Sequence, residues 1–148
     1  MKYIILNISD SDKHWDQAIN EYIKRLGDGI IVENIKPVKN GTQEQIIQKE
    51  TDLILEKLEK KYSDRNKVLL SKSGKEYSTE ELGKFLWYEK TVFIIGWPYG
   101  LDEDSLLKIA VKRISFGKIT LPHGLAKLTL LEQVYRIWTI ESGKKYHY

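Results

Sequence analysis

Val92-Phe93-Ile94-Ile95-Gly96-Trp97-Pro98-Tyr99-Gly100 is the stretch on which the fold turns. Its first four residues are apolar without alternation and rich in β-branched side chains. That is the pattern of a central parallel strand buried on both faces. The glycines on either side of Trp97-Pro98-Tyr99 then permit a tight turn and close approach of a ligand. In parallel sheets ligands bind beyond the carboxyl ends of strands, where this segment falls. It matches neither GxGxxG nor a P-loop, so neither a dinucleotide nor a nucleoside-triphosphate cradle is supported. By itself it reads as an ordinary strand-to-helix turn.

Outward from that strand, helical and extended patterns alternate. Lys2–Ile8 is a β-rich run, and Asp10, Ser11 and Asp12 after it are N-cap candidates. Trp15–Leu26 is predicted helical, with Trp15, Ile19, Tyr22 and Leu26 on one face and Gly27 ending it. Ile30–Val38 reads as a strand. Thr42–Lys61 reads as an amphipathic helix with Ile47, Ile54 and Leu58 inward. Lys67–Leu70 is a short strand running into a turn at Ser73-Gly74. Ser78–Tyr88 is a helix opened by a Ser78-x-x-Glu81 capping box. Asp102–Val111 is helical, Arg113–Leu121 extended, and Pro122 opens a last helix to about Glu141 with Leu128, Leu131, Tyr135 and Trp138 on its apolar face. The expected fold is α/β, a mainly parallel sheet with flanking helices.

The chain has 148 residues, 41% hydrophobic and 30% charged, the balance of one globular domain over residues 1–148. Without cysteine it has no disulfide, thiolate nucleophile or sulfur-ligated zinc. Its apolar runs are too short for a membrane span or signal peptide, which makes the cytoplasm the default. The net charge of +3 divides unevenly: eight Lys/Arg against two acids from Lys108 onward give that part +6 and leave −3 before it. A basic C-terminal part suggests an anionic partner such as nucleic acid, although a solubilising lysine-rich face would look the same.

The three histidines, His14, His123 and His147, have no metal-ligand spacing, so no metal is expected. His14 reads as a surface residue near a helix start. His123 lies in the first turn of the last helix, where the macrodipole disfavours its protonation. Glu132 and Arg136 are spaced for a helical ion pair. The ending Lys144-Lys145-Tyr146-His147-Tyr148 has the composition of a frayed terminus.

Taken together, Thr120-Leu121-Pro122-His123, Leu131-Glu132-Gln133-Val134-Tyr135-Arg136-Ile137-Trp138 and the closing Tyr146-His147 resemble the ribosomal RNA large-subunit methyltransferase H family of SPOUT methyltransferases. Trp15-x-x-Ala18-Ile19-x-Glu21-Tyr22-x-Lys24-Arg25-Leu26 and Lys49-Glu50 extend the likeness over the whole chain. The resemblance implies methyl transfer from S-adenosylmethionine to N3 of a pseudouridine in large-subunit (23S) rRNA within the assembled ribosome. It also implies a C-terminal trefoil knot and a homodimer with composite active sites. Matched by position, Leu70, Gly96, Gly100, Phe116, Gly117, Lys118, Ile119, Thr120 and Leu121 would hold the cofactor. His123, Tyr135, Arg136, Lys144 and Lys145 would meet RNA, and Tyr146 and His147 would act at the reacting base.

The chain departs from the family pattern at Trp97, where a second glycine is usual, and at Tyr99, usually smaller or more polar. Lys145 replaces a common Pro or Ala and adds charge. A catalytically silent RNA-binding relative with Trp97 in the cofactor site is the competing expectation, and a small domain binding a mononucleotide without RNA is a third.

Overall fold

The computed structural model describes residues 3–10, 13–86, 89–96 and 99–148. Five strands, β1 Tyr3–Ile8, β2 Ile30–Ile35, β3 Asn66–Glu76, β4 Thr91–Ile95 and β5 Lys112–Ser115, form one all-parallel sheet in the order β2-β1-β4-β3-β5. The helices are α1 Asp16–Leu26, α2 Gln43–Lys61, α3 Thr79–Leu86, α4 Glu103–Leu107 and α5 His123–Glu141. All five residues of β4 are buried, as its unalternating pattern requires. Phe93 and Ile95 join Ile19 of α1, Leu82 and Leu86 of α3 and the inner face of α5 in one core. Val92 and Ile94 point the other way, toward Ile54 and Leu58 of α2 and Leu106 of α4. Each such side chain contributes about 1.5–3 kcal/mol on burial.

Most elements lie where the pattern puts them, and the differences have local causes. The α1 N-cap is Trp15 without a side-chain cap, and Asp10 pairs with Lys39 at 3.0 Å. Ser11 and Asp12 lie outside the described residues, as do Trp87 and Tyr88 at the expected end of α3. The Ser78–Glu81 capping box forms. Strand β2 stops at Ile35, short of Val38, whose N–H goes to the buried Glu50 carboxylate at 3.0 Å. In α2 the inward residue is Ile46, with Ile47 only half-buried.

Strand β3 runs six residues past Leu70 instead of ending in a turn. Residues 71–74 bulge outward, so that Leu70 and Lys75 both stand opposite Ile114. Gly74 makes this possible: a Cβ there would sit 2.6 Å from the Ile114 carbonyl carbon. Helix α4 ends at Leu107 because Ala110, at φ +62°, turns the chain back, with Val111 N–H on the Leu106 carbonyl. Strand β5 ends at Ser115, not Leu121. The Ser115 hydroxyl both accepts from Gly117 N–H and donates to Gly117 C=O, each at 3.0 Å, and folds the strand into a loop. In α5 the buried face is Leu130, Leu131, Val134 and Ile137. Leu128, Tyr135 and Trp138, expected inward, lie on the half-exposed flank.

Candidate functional site

The loops after β3, β4 and β5 close around a cavity of about 340 Å³ at the carboxyl end of the sheet. Of the residues expected to hold a cofactor, eight line it: Leu70 from β3, Gly96 and Gly100 from the turn after β4, and Phe116, Gly117, Ile119, Thr120 and Leu121 from the loop before α5. Lys118 does not. Trp97, the main departure in this turn, lies outside the described residues. A Cβ on Gly96 would sit 3.1 Å from Leu101 Cγ, so the turn after β4 packs closely on the segment that follows it. Gly100 and Gly117 hold φ of +77° and +114°, which favour glycine. Apolar walls from Leu70, Ile95, Phe116 and Leu121 with a few polar groups make a cavity that suits a nucleoside-sized, partly apolar ligand.

Polar residues that the sequence reading did not single out complete this wall. Ser71, Lys72 and Glu103 line the cavity, with Lys72 Nζ donating to Thr120 Oγ1 at 2.9 Å. Behind it lies Asn7, fully buried at the end of β1. Its amide donates to Glu33 C=O at 3.1 Å and to Asn34 Oδ1 at 2.7 Å. Its Oδ1 faces Lys127 Nζ and His123 Nε2, both at 3.3 Å. A polar residue inside an otherwise apolar strand was the available signal for Asn7.

His123, expected at the RNA, is a cavity residue. Its Nδ1 lies 2.9 Å from the Gly96 carbonyl, and a carbonyl only accepts, so Nδ1 carries the proton. The first residue of α5 is thereby tied to the turn after β4.

The remaining candidates gather at the far end of α5, about 20 Å along the helix from His123 to Arg136 at 1.5 Å per residue. The expected Glu132–Arg136 pair is present at 2.6 Å. Tyr146 is docked on it: its hydroxyl is 3.0 Å from Tyr22 Oη and 3.3 Å from Glu132 Oε1, under the Arg136 guanidinium. Burial first, then the Tyr22 and Glu132 contacts, raise the Tyr146 phenol well above its ordinary range and keep it protonated. His147 Nδ1 lies 3.1 Å from Arg136 Nη1 and its Nε2 2.7 Å from Glu80 Oε1. A guanidinium only donates and a carboxylate only accepts, so the ring is the Nε2–H tautomer with its lone pair on Nδ1. The bond from His147 holds the Glu80 carboxyl below the usual range. The end of the chain is therefore folded back, with Tyr146 and His147 half-buried and Lys144 and Lys145 exposed. Lys144 Nζ stands 4.2 Å over the Trp138 ring.

A larger cavity of about 490 Å³ lies between α3 and α5, lined by Thr79, Gly83, Ile137 and Ile140, and contains none of the expected site residues. No group of three or more potential metal ligands occurs among the described residues. Among the described residues no helix is long and apolar enough to cross a membrane.

A family profile described as "Predicted SPOUT methyltransferase" matches residues 1–147. The chain is 36% identical over 150 residues to the ribosomal RNA large subunit methyltransferase H of Mycoplasmopsis pulmonis, covering 99% of both chains. It is 37% identical over 151 residues to the protein of the same name from Streptococcus suis, covering 92% of both. Among solved structures it resembles a ribosomal RNA small subunit methyltransferase E from Neisseria gonorrhoeae bound to S-adenosyl methionine. The TM-score is 0.61 at 14% identity, over 93% of this chain and 67% of that one, a likeness of fold.

Proposed function

The chain belongs to the SPOUT methyltransferases, within the ribosomal RNA large subunit methyltransferase H family, and from that membership we propose that it methylates N3 of a pseudouridine in 23S rRNA of the assembled ribosome, with S-adenosylmethionine as methyl donor. The observation that carries the reading is the meeting of eight family-matched positions, spread from Leu70 to Leu121, around one cavity at the carboxyl ends of β3, β4 and β5.

When bound, S-adenosylmethionine supplies an electrophilic methyl on a sulfonium. The chain's own task is then to position the target base in line and to deal with its N3 proton. Leu70, Gly96, Gly100, Phe116, Gly117, Ile119, Thr120 and Leu121 would hold the donor, with Lys118 in the same loop. His123 keeps the turn after β4 in place from within the wall. His147 offers the Nδ1 lone pair for the proton, and Tyr146, held protonated, offers a donor that orients the base. In the single chain that lone pair faces Arg136. An RNA phosphate competes for the same guanidinium, so substrate binding frees the imidazole. Tyr135, Arg136, Lys144 and Lys145 form the RNA-facing end, where the contact to phosphates is salt-sensitive.

The separation of the Tyr146–His147 pair from the cavity supports a homodimer in which the tail of one subunit completes the site of the other. The half-exposed Leu128, Tyr135 and Trp138 on α5, beside Tyr22 of α1, supply an apolar face for that contact. A trefoil knot, with α5 passed through the loop bearing Gly96 and Gly100, belongs to the same reading. The crowding of three loops at one cavity and the packing of Gly74 on Ile114 support it. The chain acts as one domain in the cytoplasm.

Mixing two inactive variants tests the shared site. One carries Gly96→Val, the other lacks residues 144–148. After subunit exchange, a shared site restores about a quarter of wild-type sites, because half the dimers are mixed and each has one intact site. Methylation is read by mass spectrometry of rRNA from methylation-deficient ribosomes. No recovery in proven mixed dimers overturns the shared site, and absence of S-adenosylmethionine binding by the wild type in calorimetry overturns the methyltransferase reading in favour of a silent RNA-binding relative.

A further inference from the structure

Glu103 is the one carboxylate lining the cavity among the described residues. Two neighbours orient it. Arg113 Nη1 donates to Oε1 at 3.1 Å, and the Ser71 hydroxyl lies between the two oxygens at 2.9 and 3.0 Å. A carboxylate offers about four acceptor positions, so these bonds leave capacity, chiefly on Oε2.

The backbone that carries Glu103 is also held in advance. Asp102 caps α4 through Ser105, and its N–H donates to the buried Thr51 hydroxyl at 2.9 Å. Thr51 in turn donates to the Ile47 carbonyl at 2.7 Å, so α2 fixes the start of α4. The side chain is one-third exposed in the cavity wall and needs little further ordering to receive a ligand.

Resting on the S-adenosylmethionine reading, we propose that Glu103 is a specificity-determining residue that accepts hydrogen bonds from the ribose hydroxyls of the cofactor. The acceptor capacity selects a donor. Arg113 already offsets the negative charge, so a cationic ammonium gains little there, whereas neutral hydroxyls need only an oriented acceptor. The two oxygens of a carboxylate also match a vicinal diol, one hydroxyl to each.

The test is calorimetric binding of S-adenosylhomocysteine, its 2′-deoxy and 3′-deoxy analogues, and its deaminated analogue, to wild type, Glu103→Gln and Ser71→Ala. The parent ligand is expected to bind Glu103→Gln roughly 10- to 100-fold more weakly, the range for a hydrogen bond to a charged group. Wild type should lose a similar factor toward one of the deoxy analogues, and Glu103→Gln should lose little more toward it, since both changes remove the same bond. Ser71→Ala, which keeps the carboxylate but releases its orientation, should give a smaller loss of the same selectivity. Unchanged affinity in Glu103→Gln, or a deoxy penalty that persists in full, overturns the proposal. So does a loss shared instead with the deaminated analogue, which assigns the carboxylate to the ammonium. If wild type binds none of these ligands, the cofactor reading falls and this inference with it; thermal melting of each variant separates misfolding from lost contact.

Discussion

His123 Nδ1 donates to the Gly96 carbonyl at 2.9 Å, joining the first residue of α5 to the turn after β4 across the cavity wall. The other ring nitrogen faces Asn7 Oδ1, so one imidazole connects β1, β4 and α5. The Gly96 bond fixes the position of the backbone nearest to where a cofactor must lie, and the contact of the ring with Asn7 makes the cavity's shape depend on a residue buried behind it.

His123→Ala should therefore weaken S-adenosylmethionine binding roughly tenfold while leaving ribosome affinity nearly unchanged. Calorimetry and ribosome sedimentation read the two separately. A ribosome-binding defect without a cofactor defect would return His123 to the RNA surface.

Asn7→Leu should cost about 1–3 kcal/mol of stability in urea unfolding, because it removes an acceptor of the buried Lys127 ammonium inside the fold. A loss within 0.5 kcal/mol, on the order of a surface substitution, would show that the network is dispensable.

Gly124 is where α5 crosses α1. A Cβ there would come within 2.1 Å of Trp15 Cδ1, so Gly124→Ala forces the indole aside at about 1–3 kcal/mol. In a Trp15→Leu background the same substitution should cost markedly less, which a double-mutant cycle measures.

The carboxylates predict a pH profile with two limbs. Burial pushes Glu33 up, but bonds from Lys57, Tyr62 and Lys61 together hold it below the ordinary 4.5, so its contribution is present above that pH and is lost as pH falls through the lowered value. Glu50 is the opposite. Burial raises it against the single Val38 N–H bond, and its Oε1 has no hydrogen-bond partner among the described residues. Its folded form binds the proton more tightly than the unfolded chain, so stability is full below 4.5 and declines as pH rises through the raised value. Glu50→Gln keeps an acceptor for Val38 and removes that titration. The decline above pH 4.5 should flatten, by at most about 1.4 kcal/mol per pH unit for one proton, while the acid limb stays. Urea unfolding across pH 3–8 (roughly the span over which carboxylates and histidine titrate) checks both limbs.

The strand and helix order was legible because β4 and the faces of α1 and α2 carry strong periodicity. What escaped were features made by contacts distant in sequence. The β3 bulge depends on Gly74 meeting Ile114, forty residues on, and the inner face of α5 is chosen by α1 and α3 packing on it. In the candidate site, the positions matched by family likeness include the glycines and the loop before α5 that line the cavity. It carried no sign of Asn7 or Glu103, whose roles come from residues that converge only in the fold. Nor did Tyr146-His147 announce, as a sequence, that the tail folds back onto Glu132, Arg136 and Glu80.

That docked tail makes the last prediction sharp. Its bonds are few and half-exposed, so removing residues 144–148 should cost only about 1–2 kcal/mol of stability and leave S-adenosylmethionine affinity intact, since none of these residues lines the 340 Å³ cavity. Methylation should nevertheless collapse. Within the tail the effects should divide. His147→Ala should lower the methylation rate far more than ribosome affinity, as expected for a group that takes or orients the N3 proton. Lys145→Ala should leave the maximal rate near wild type but weaken ribosome binding and reduce its salt slope by roughly one phosphate contact. Single-turnover methylation and salt-dependent sedimentation separate the two. Unchanged turnover after truncation would leave the tail a surface ornament, and the proton acceptor would have to be sought among residues that line the cavity, beginning with His123.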